Sequence, residues 1–185
     1  MAVLEKYQVK ATFFVLGDWA DRYPESVTAL HTAGHEVMNH SNTHEHYNSL
    51  STQQIIEDVN LCNKKIEELT GIRPTLFRPP YGEYNDLVVS TVRSMGMEPI
   101  QWDVDSMDWK NLTSPEISKR VTTKVQPGSI ILFRNTAGNT PEALPSIIEG
   151  LLQEGYKIVP VSQLILSGDY VVDHTGKQCP VTPQQ

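Results

Sequence analysis

Histidines concentrate in one short stretch of the sequence, MNHSNTHEH, which runs from Met38 to His46. His40 and His44 are spaced i, i+4, so their imidazoles lie on one side if the segment forms a single helical turn or a tight loop. Neutral imidazole is a good ligand for zinc and similar borderline metals. Two ligands alone bind weakly. The pattern by itself therefore fits either a metal site completed by a residue from elsewhere or an ordinary polar loop.

A second segment whose residues could take part in binding or catalysis is FRPPYGEY, from Phe77 to Tyr84. The double proline after Arg78 fixes the backbone and turns it sharply, so a rigid loop would hold the guanidinium above a strand end. A plain surface turn explains the same pattern equally well.

A third segment, QWDVDSMDWK, places carboxylates beside Trp102 and Trp109. Indole faces can stack on pyranose rings and carboxylates can bind hydroxyls or move protons, which indicates a sugar site. The alternative is a helix-capping aspartate next to core tryptophans. The carboxylates are those of Asp103, Asp105 and Asp108, and a fourth segment, IILFRNTAGNT, follows them.

The elements that must position these residues alternate along the chain as short apolar runs and amphipathic stretches, which is typical of an α/β fold. Helix starts are predicted at Ser51 with Gln54, at Ser114-Pro115 and at Thr140-Pro141, and helix stops at glycines. Cys62 lies on a helical apolar stripe and is predicted to be a core thiol. The predicted strands are Ala11–Leu16, His35–Met38, Thr75–Phe77, Met97–Trp102, Ser129–Phe133 and Lys157–Val159.

Repeated β-then-α units predict parallel strands, in either an open sheet or a (β/α) barrel. No G-x-G-x-x-G or phosphate-loop pattern follows a strand, which disfavours a nucleotide-binding open sheet. A barrel places its chemistry at the carboxyl ends of its strands, where the four segments fall. We expect one domain over residues 1–167 and a short irregular tail over 168–185.

Composition excludes several classes of partner. The chain has 185 residues, a net charge of -7 and a pI near 5.3, and its lysines and arginines are scattered, so neither nucleic acid nor an anionic membrane surface is expected to bind. The start, MAVLEKYQVKATFF, has the pattern of neither a signal peptide nor a membrane span, which by itself predicts a cytoplasmic chain.

Together the motifs resemble one family, the polysaccharide deacetylases of the NodB-homology group of metal-dependent carbohydrate esterases. HSNTH resembles the family's metal motif H-[ST]-x-x-H, RPPYG its arginine-proline loop, DSMDW its aspartate-tryptophan motif, and ILF the start of its last motif. VLEKYQVKATFFVLGDWA is similar to the segment after the family's first strand. The resemblance extends from about Leu4 to Leu166.

The resemblance implies a deformed (β/α) barrel that hydrolyses N-acetyl or O-acetyl groups of a polysaccharide such as peptidoglycan or a chitin-like N-acetylglucosamine polymer. It implies a divalent metal, commonly zinc, held by two histidines and an aspartate, with a second aspartate as base and a histidine as acid. The residues carried over are His40 and His44 as metal ligands, Arg78 to orient the base, the Tyr81 backbone N–H for the oxyanion, Asp108 to tune the catalytic histidine, and Trp109 and Leu132 to line the acetyl pocket.

The chain departs from the family pattern in two places. The first motif, T-F-D-D or close to it, supplies both aspartates and lies upstream of the segment at which this sequence begins, so an incomplete barrel without its first strand is expected. In the last motif, Arg134 stands where the family has the acid histidine, and arginine cannot deliver a proton near neutrality. Arg134 could instead pair with Asp108 or hold an acetate-like oxyanion.

Two principal hypotheses follow from the departures. The chain is either a deacetylase that is incomplete or has a shifted start codon, or a non-catalytic relative that binds acetylated carbohydrate or metal only. A fragment without a role of its own is the third possibility. We expect zinc to bind weakly because one anionic ligand is missing. Family members are usually exported, and a truncation that removed the first motif could also have removed a signal peptide, so the compartment stays open.

Overall fold

Parallel strands separated by helices form the fold, as seen in a computed structural model that describes residues 1–135 and 138–181. This confirms the predicted α/β class. The helices are α1 (Ala2–Lys6), α2 (Gly17–Arg22), α3 (Pro24–Thr32), α4 (Thr52–Thr70), α5 (Asp86–Ser94), α6 (Ser114–Thr122) and α7 (Thr140–Gln153). The strands are β1 (Thr12–Val15), β2 (Glu36–Asn39), β3 (Leu76–Phe77), β4 (Glu98–Pro99), β5 (Val104–Asp105), β6 (Ile131–Leu132), β7 (Tyr170–Val172) and β8 (Gln178–Pro180).

The chain divides into two compact units. The first unit is Lys10–Gln101, and the second unit joins Met1–Val9 to the chain from Trp102 onward. In the first unit, β1, β2, β3 and β4 form a four-stranded parallel sheet in that order. Asn39 of β2 lies in register with Phe77 of β3, so the loops that follow these two strands leave the sheet side by side.

Helix α4 covers the sheet of the first unit, and its sequence explains its bounds. The Ser51 side chain accepts from the Gln54 amide while the Gln54 side chain reaches back to the Ser51 amide, as the capping box predicted. Gly71 ends the helix with a left-handed φ of 74°. The buried stripe of the helix packs against the sheet and confirms Cys62 as a core thiol; it consists of Ile55, Val59, Cys62 and Ile66.

The second unit is built on the parallel pair β5 and β6, in which Asp105 lies opposite Leu132. Helices α6 and α7 pack on this pair and on each other. Their shared core is apolar and consists of Val104, Ile117, Val121, Ala143, Ile147 and Leu151. The chain start is tied to this unit because the Tyr7 hydroxyl donates to the Glu149 carboxylate of α7.

Several sequence predictions need correction. Lys157–Val159 forms no strand and instead packs Ile158 irregularly against the core of the second unit, whereas Val104–Asp105 is a strand that was not predicted separately. Helix α6 is capped by Thr113 rather than Ser114. Thr140 does not cap α7, because its hydroxyl donates to a buried aspartate and Asn139 takes the N-cap position.

The C-terminal segment also differs from the irregular tail expected. Strands β7 and β8 pair as an antiparallel hairpin. The Asp173 carboxylate organises its turn by accepting from the backbone amides of Thr175 and Lys177, at 2.8 and 3.2 Å. Residues 182–185 of the expected tail lie outside the described residues, and the domain boundary at 167 stays a prediction.

Neither sheet of parallel strands closes on itself in the described part of the chain, in agreement with the incomplete barrel expected. Among residues 1–135 and 138–181, no helix has both the length and the apolar character that crossing a bilayer requires.

Candidate functional site

The histidine loop, residues 40–46, follows β2 and is a tight loop rather than a helical turn. Ser41 and His44 both adopt left-handed backbone conformations, with φ of 78° and 67°. The His44 amide donates to the Ser41 hydroxyl at 2.9 Å, and the Ser41 amide donates to the Asn39 side chain at 2.7 Å. These bonds bring the His40 and His44 ring centroids to 5.0 Å, with an angle of 74° between the ring planes.

The tautomer of His40 follows from one hydrogen bond. Its Nδ1 lies 2.7 Å from the backbone carbonyl oxygen of Arg78. A carbonyl can only accept, so Nδ1 carries the proton and Nε2 carries the lone pair of the neutral ring. A partner that fixes the protonated nitrogen in this way is typical of metal-ligating histidines.

The second imidazole is biased towards its neutral form. Burial, and to a smaller extent the charge of His46, lower the pKa of His44, against a raising effect from a backbone hydrogen bond. Only the neutral ring can donate a lone pair to a metal, so the shift extends the pH range in which His44 can ligate.

In ligand type the pair fits a divalent metal such as zinc, and the tautomer of His40 leaves its Nε2 lone pair available. Within residues 1–135 and 138–181, however, no three histidine, cysteine, aspartate or glutamate side chains cluster closely enough to hold one. If His40 and His44 are metal ligands as the resemblance implies, the described residues supply two of the usual four ligands. The expectation of weak zinc binding stays a prediction.

The loop after β3 places Arg78 and Tyr81 beside the histidine loop. The Arg78 amide donates to the Asn39 carbonyl at 2.9 Å, so the adjacent strands fix the two loops to one another. Its side chain is buried, with the guanidinium 4.2 Å from the centroid of Phe14, and Nη2 donates to the Gln101 carbonyl at 3.3 Å. Burial lowers the pKa of Arg78 to about 9, which leaves the group cationic at neutral pH.

Tyr81 is exposed and has a left-handed φ of 58°. Its ring meets His44 edge-on at 4.5 Å and stacks on His46 at 4.2 Å with an interplanar angle of 9°. The His46 Nδ1 lies 3.1 Å from both Glu83 carboxylate oxygens. Sequence reasoning assigned no role to His46 or Glu83; the position of His46 on the same loop as His44 was the available signal.

The second unit holds the other predicted site residues, gathered around Asp108. This carboxylate is buried, and its Oδ2 accepts from the Arg134 amide at 2.8 Å and the Thr140 hydroxyl at 2.7 Å. Arg134 Nη1 lies 3.2 Å from Asp105 Oδ1 and 3.5 Å from Asp108 Oδ1. The expected pairing of Arg134 with Asp108 is therefore present, and Asp105 joins it as a second carboxylate.

Aromatic and apolar side chains flank this cluster. The Arg134 guanidinium lies 5.6 Å from the centroid of the exposed Trp109 ring, within cation–π range. Leu132 is half-buried on β6, opposite Asp105. The third carboxylate of the segment, Asp103, is used structurally, since it accepts from the Ser129 hydroxyl and the Ile130 amide at 2.6 Å each.

Each unit thus keeps its own set of predicted residues. His40, His44, Arg78 and Tyr81 belong to the first unit, and Asp108, Trp109, Leu132 and Arg134 to the second. Their functional roles stay predictions. The geometry adds that His40 of the first set presents its Nε2 lone pair and that the second set presents a fixed cation.

Comparison with known proteins identifies the family. The polysaccharide deacetylase profile matches residues 1–100. Peptidoglycan-N-acetylmuramic acid deacetylase PdaC of Bacillus subtilis is 40% identical over 161 residues, which cover 87% of this chain and 34% of PdaC. The chain belongs to the polysaccharide deacetylase family.

A second polysaccharide deacetylase relative is the peptidoglycan-N-acetylglucosamine deacetylase PgdA of Listeria monocytogenes, 34% identical over 161 residues that cover 87% of this chain and 34% of PgdA. The chain therefore spans about a third of the length of both curated relatives. The solved structure of PdaC aligns with a TM-score of 0.80 at 39% identity, over 88% of this chain and 79% of that one.

Solved polysaccharide deacetylase relatives also include a pseudoenzyme. BA3943 of Bacillus anthracis, a CE4 family pseudoenzyme, aligns with a TM-score of 0.85 at 36% identity, over 88% of this chain and 58% of that one. A BA3943 mutant with restored enzymatic activity aligns with the same TM-score of 0.85. Forms of this fold described as a pseudoenzyme and as a mutant with restored activity are thus both among the similar structures.

Proposed function

We propose that this chain is the deacetylase domain of a protein that acts on an N-acetylated cell-wall polysaccharide, peptidoglycan in the first place and a chitin-like polymer in the second. The oriented imidazole pair of His40 and His44 carries this proposal. A surface loop without a role would not need the Arg78 carbonyl to fix the tautomer of one ring. The names of the relatives PdaC and PgdA support peptidoglycan as the substrate.

In this proposal His40 and His44 hold a divalent metal, with zinc the best match for imidazole nitrogen. When bound, such a metal supplies Lewis-acid polarisation of the acetyl carbonyl and a water of lowered pKa. The Tyr81 backbone N–H, held in its left-handed conformation, would donate to the oxyanion. Arg78 contributes a buried positive charge beneath the loops and orients an anionic partner.

Carbohydrate contact would come from exposed aromatic faces. Trp109 is 52% exposed and Tyr81 is 56% exposed, which is unusual for large aromatic side chains and suits stacking on pyranose rings. Leu132 would supply apolar surface for the acetyl methyl group.

A second function, binding without turnover, is favoured by one observation. Arg134 occupies the place of the expected acid and is held by Asp105 and Asp108 at 3.2 and 3.5 Å. A guanidinium in two ion pairs donates hydrogen bonds but no proton, so it can hold an acetyl oxygen without protonating the leaving amine.

Parallel assays of turnover and binding distinguish the two functions. Acetate release and binding would be measured with N-acetylchitooligosaccharides and muropeptides in the presence of zinc. Release that disappears in His40→Ala/His44→Ala but persists in His174→Ala, an exposed histidine of the hairpin, supports the enzyme. Binding to acetylated but not deacetylated sugar, without release, supports the second function. Absence of both contradicts the proposal.

A further inference from the structure

One carboxylate of helix α4, that of Asp58, receives several hydrogen bonds from the histidine loop and the residue after it. Its Oδ2 accepts from the Asn42 amide at 2.8 Å and also from the Tyr47 hydroxyl. Its Oδ1 accepts from the Thr43 hydroxyl at 3.3 Å. The three donors come from both sides of His44 in the sequence.

The histidine loop needs such an anchor because of its backbone. Ser41 and His44 are not glycines, yet both have positive φ, a conformation that L-residues hold only when their surroundings impose it. The Ser41 hydroxyl bond to the His44 amide fixes the loop internally. Asp58 fixes it to a helix, and a helix is a more rigid support than a loop.

The carboxylate itself is already engaged. Both Asp58 oxygens accept from the loop, and Tyr47, the phenol that contacts one of them, is fully buried. This arrangement suits a group that acts through the loop rather than one that ligates a metal.

We infer that Asp58 is a positioning residue that fixes the histidine loop so that the imidazoles of His40 and His44 can share one divalent ion. This inference rests on the metal-binding role in the proposed function. The motif H-[ST]-x-x-H does not include Asp58. This residue lies 16 residues after Asn42, on helix α4. In Asp58→Asn, the side-chain NH₂ group would face at least one of the three donors. It could not accept that hydrogen bond.

The experiment compares Asp58→Asn with Glu57→Gln, which makes the same charge change on the same helix. Glu57 is exposed and accepts a hydrogen bond from Gln53 of its own helix at 2.7 Å, away from the histidine loop, so it is a matched control. Cobalt(II) replaces zinc as the probe, since its absorption spectrum reports ligand number and geometry. We expect Asp58→Asn to weaken cobalt affinity about tenfold or more and Glu57→Gln to leave it unchanged.

A metal-free measurement separates failure of this inference from failure of the metal role. In NMR spectra without metal, Asp58→Asn should shift and broaden the Thr43 and His44 amides and alter the His40 side-chain nitrogens, while far-UV circular dichroism stays native. If the unmodified protein binds no cobalt, the metal role is contradicted and these spectra alone decide the inference.

Two further variants complete the test. Thr43→Val removes one exposed donor and should weaken cobalt affinity by a smaller factor, which provides a result even if Asp58→Asn fails to fold. Asp58→Glu should recover part of the affinity lost in Asp58→Asn. Unchanged loop spectra and unchanged cobalt affinity in folded Asp58→Asn, or in Thr43→Val if Asp58→Asn does not fold, would overturn the inference.

Discussion

Arg134 places a fixed cation at the position where the family has an acid histidine. Its guanidinium bridges Asp105 and Asp108, and the buried Asp108 also binds the Thr140 hydroxyl. The cluster therefore neutralises a carboxylate that would otherwise be buried with hydrogen bonds but without a countercharge. Arg134, which stands in place of the expected acid histidine, therefore stabilises the unit to which it belongs.

Removal of this cation should destabilise the protein. Arg134→Ala leaves Asp108 paired only with neutral donors, and because the arginine side chain is 34% exposed we expect a loss of about 1 to 2 kcal/mol in the free energy of unfolding. Urea denaturation at neutral pH measures it. Arg134→Ala combined with Asp108→Asn should lose less than the sum of the two single changes. An additive result would show that the ion pair between Arg134 and Asp108 contributes nothing to the free energy of unfolding.

A histidine at position 134 should restore little catalysis. General acid catalysis contributes about a hundred- to ten-thousand-fold, yet Arg134→His would not complete the proposed metal site, since no three metal-ligating side chains cluster among the described residues. We expect acetate release from N-acetylchitooligosaccharide to rise by less than about a hundredfold over Arg134→Ala, assayed with excess zinc. A rise of about a thousandfold or more would show that the missing proton donor is the principal defect.

At the scale of elements, the histidine loop is held between α2 and α4. The Gly17 amide at the start of α2 donates to the Ser41 carbonyl, and the Asn42 side chain accepts from Lys65 of α4 at 2.8 Å. Backbone and side-chain groups of the loop therefore contact both helices. The arrangement leaves little space at Gly17.

Gly17→Ala should disturb this packing. An added Cβ would lie 2.2 Å from Asn42 Oδ1, well inside van der Waals contact, so we expect a loss of about 1 to 3 kcal/mol. Gly150→Ala in α7 is the matched control, because the added Cβ would lie 3.8 Å from the Thr122 side chain and alanine favours helix by up to about 1 kcal/mol. Equal effects of the two changes in thermal unfolding would contradict the steric argument.

The contact between β1 and β2 should weaken in acid. The Ala11 amide donates to His35 Nδ1 at 3.2 Å, so this nitrogen must be unprotonated. Burial, followed by the charge of Lys10, lowers the pKa of His35 below 6.5. Between the folded and unfolded pKa values the unfolded chain binds more protons, so stability is full above 6.5 and falls as the pH decreases through the lowered folded pKa.

Urea midpoints from about pH 8 to about pH 5 test this linkage. His35→Asn keeps an acceptor but does not titrate, so it should show a smaller loss of stability in acid than the unmodified chain. Identical pH profiles would remove His35 as a contributor.

For the whole molecule, the net charge of -7 governs which glycans approach easily. Stacking and hydrogen bonds to a neutral chitooligosaccharide depend little on salt, whereas a muropeptide with carboxylates is repelled by the anionic protein. The compositional argument against nucleic acid follows from the same charge.

Salt should therefore separate the two substrate classes. We expect added sodium chloride to strengthen binding of anionic muropeptides and to leave binding of neutral N-acetylchitooligosaccharides nearly unchanged, as measured by calorimetry at low and high salt. Weaker muropeptide binding at high salt would instead indicate a local basic subsite that outweighs the net charge.

The amino-acid sequence by itself determined the α/β class, the bounds and buried stripe of α4, and the positions of the histidines, arginines and aspartates after strands. These features rest on local signals, namely caps, helical periodicity and turn residues, which act over a few positions. The family and the members of both residue sets were instead predicted from the resemblance of four ordered motifs to the polysaccharide deacetylases.

Only the tertiary structure decided the very short strands, the use of Thr140 and the state of the histidine loop. A two-residue strand such as Val104–Asp105 exists because Ile131–Leu132 lies beside it, and its own sequence carries too few residues to specify it. The Thr140 hydroxyl turns from its helix to a carboxylate 32 residues away, and the His40 tautomer is set by a carbonyl 38 residues away. Such contacts form only when the chain folds, so no local pattern records them.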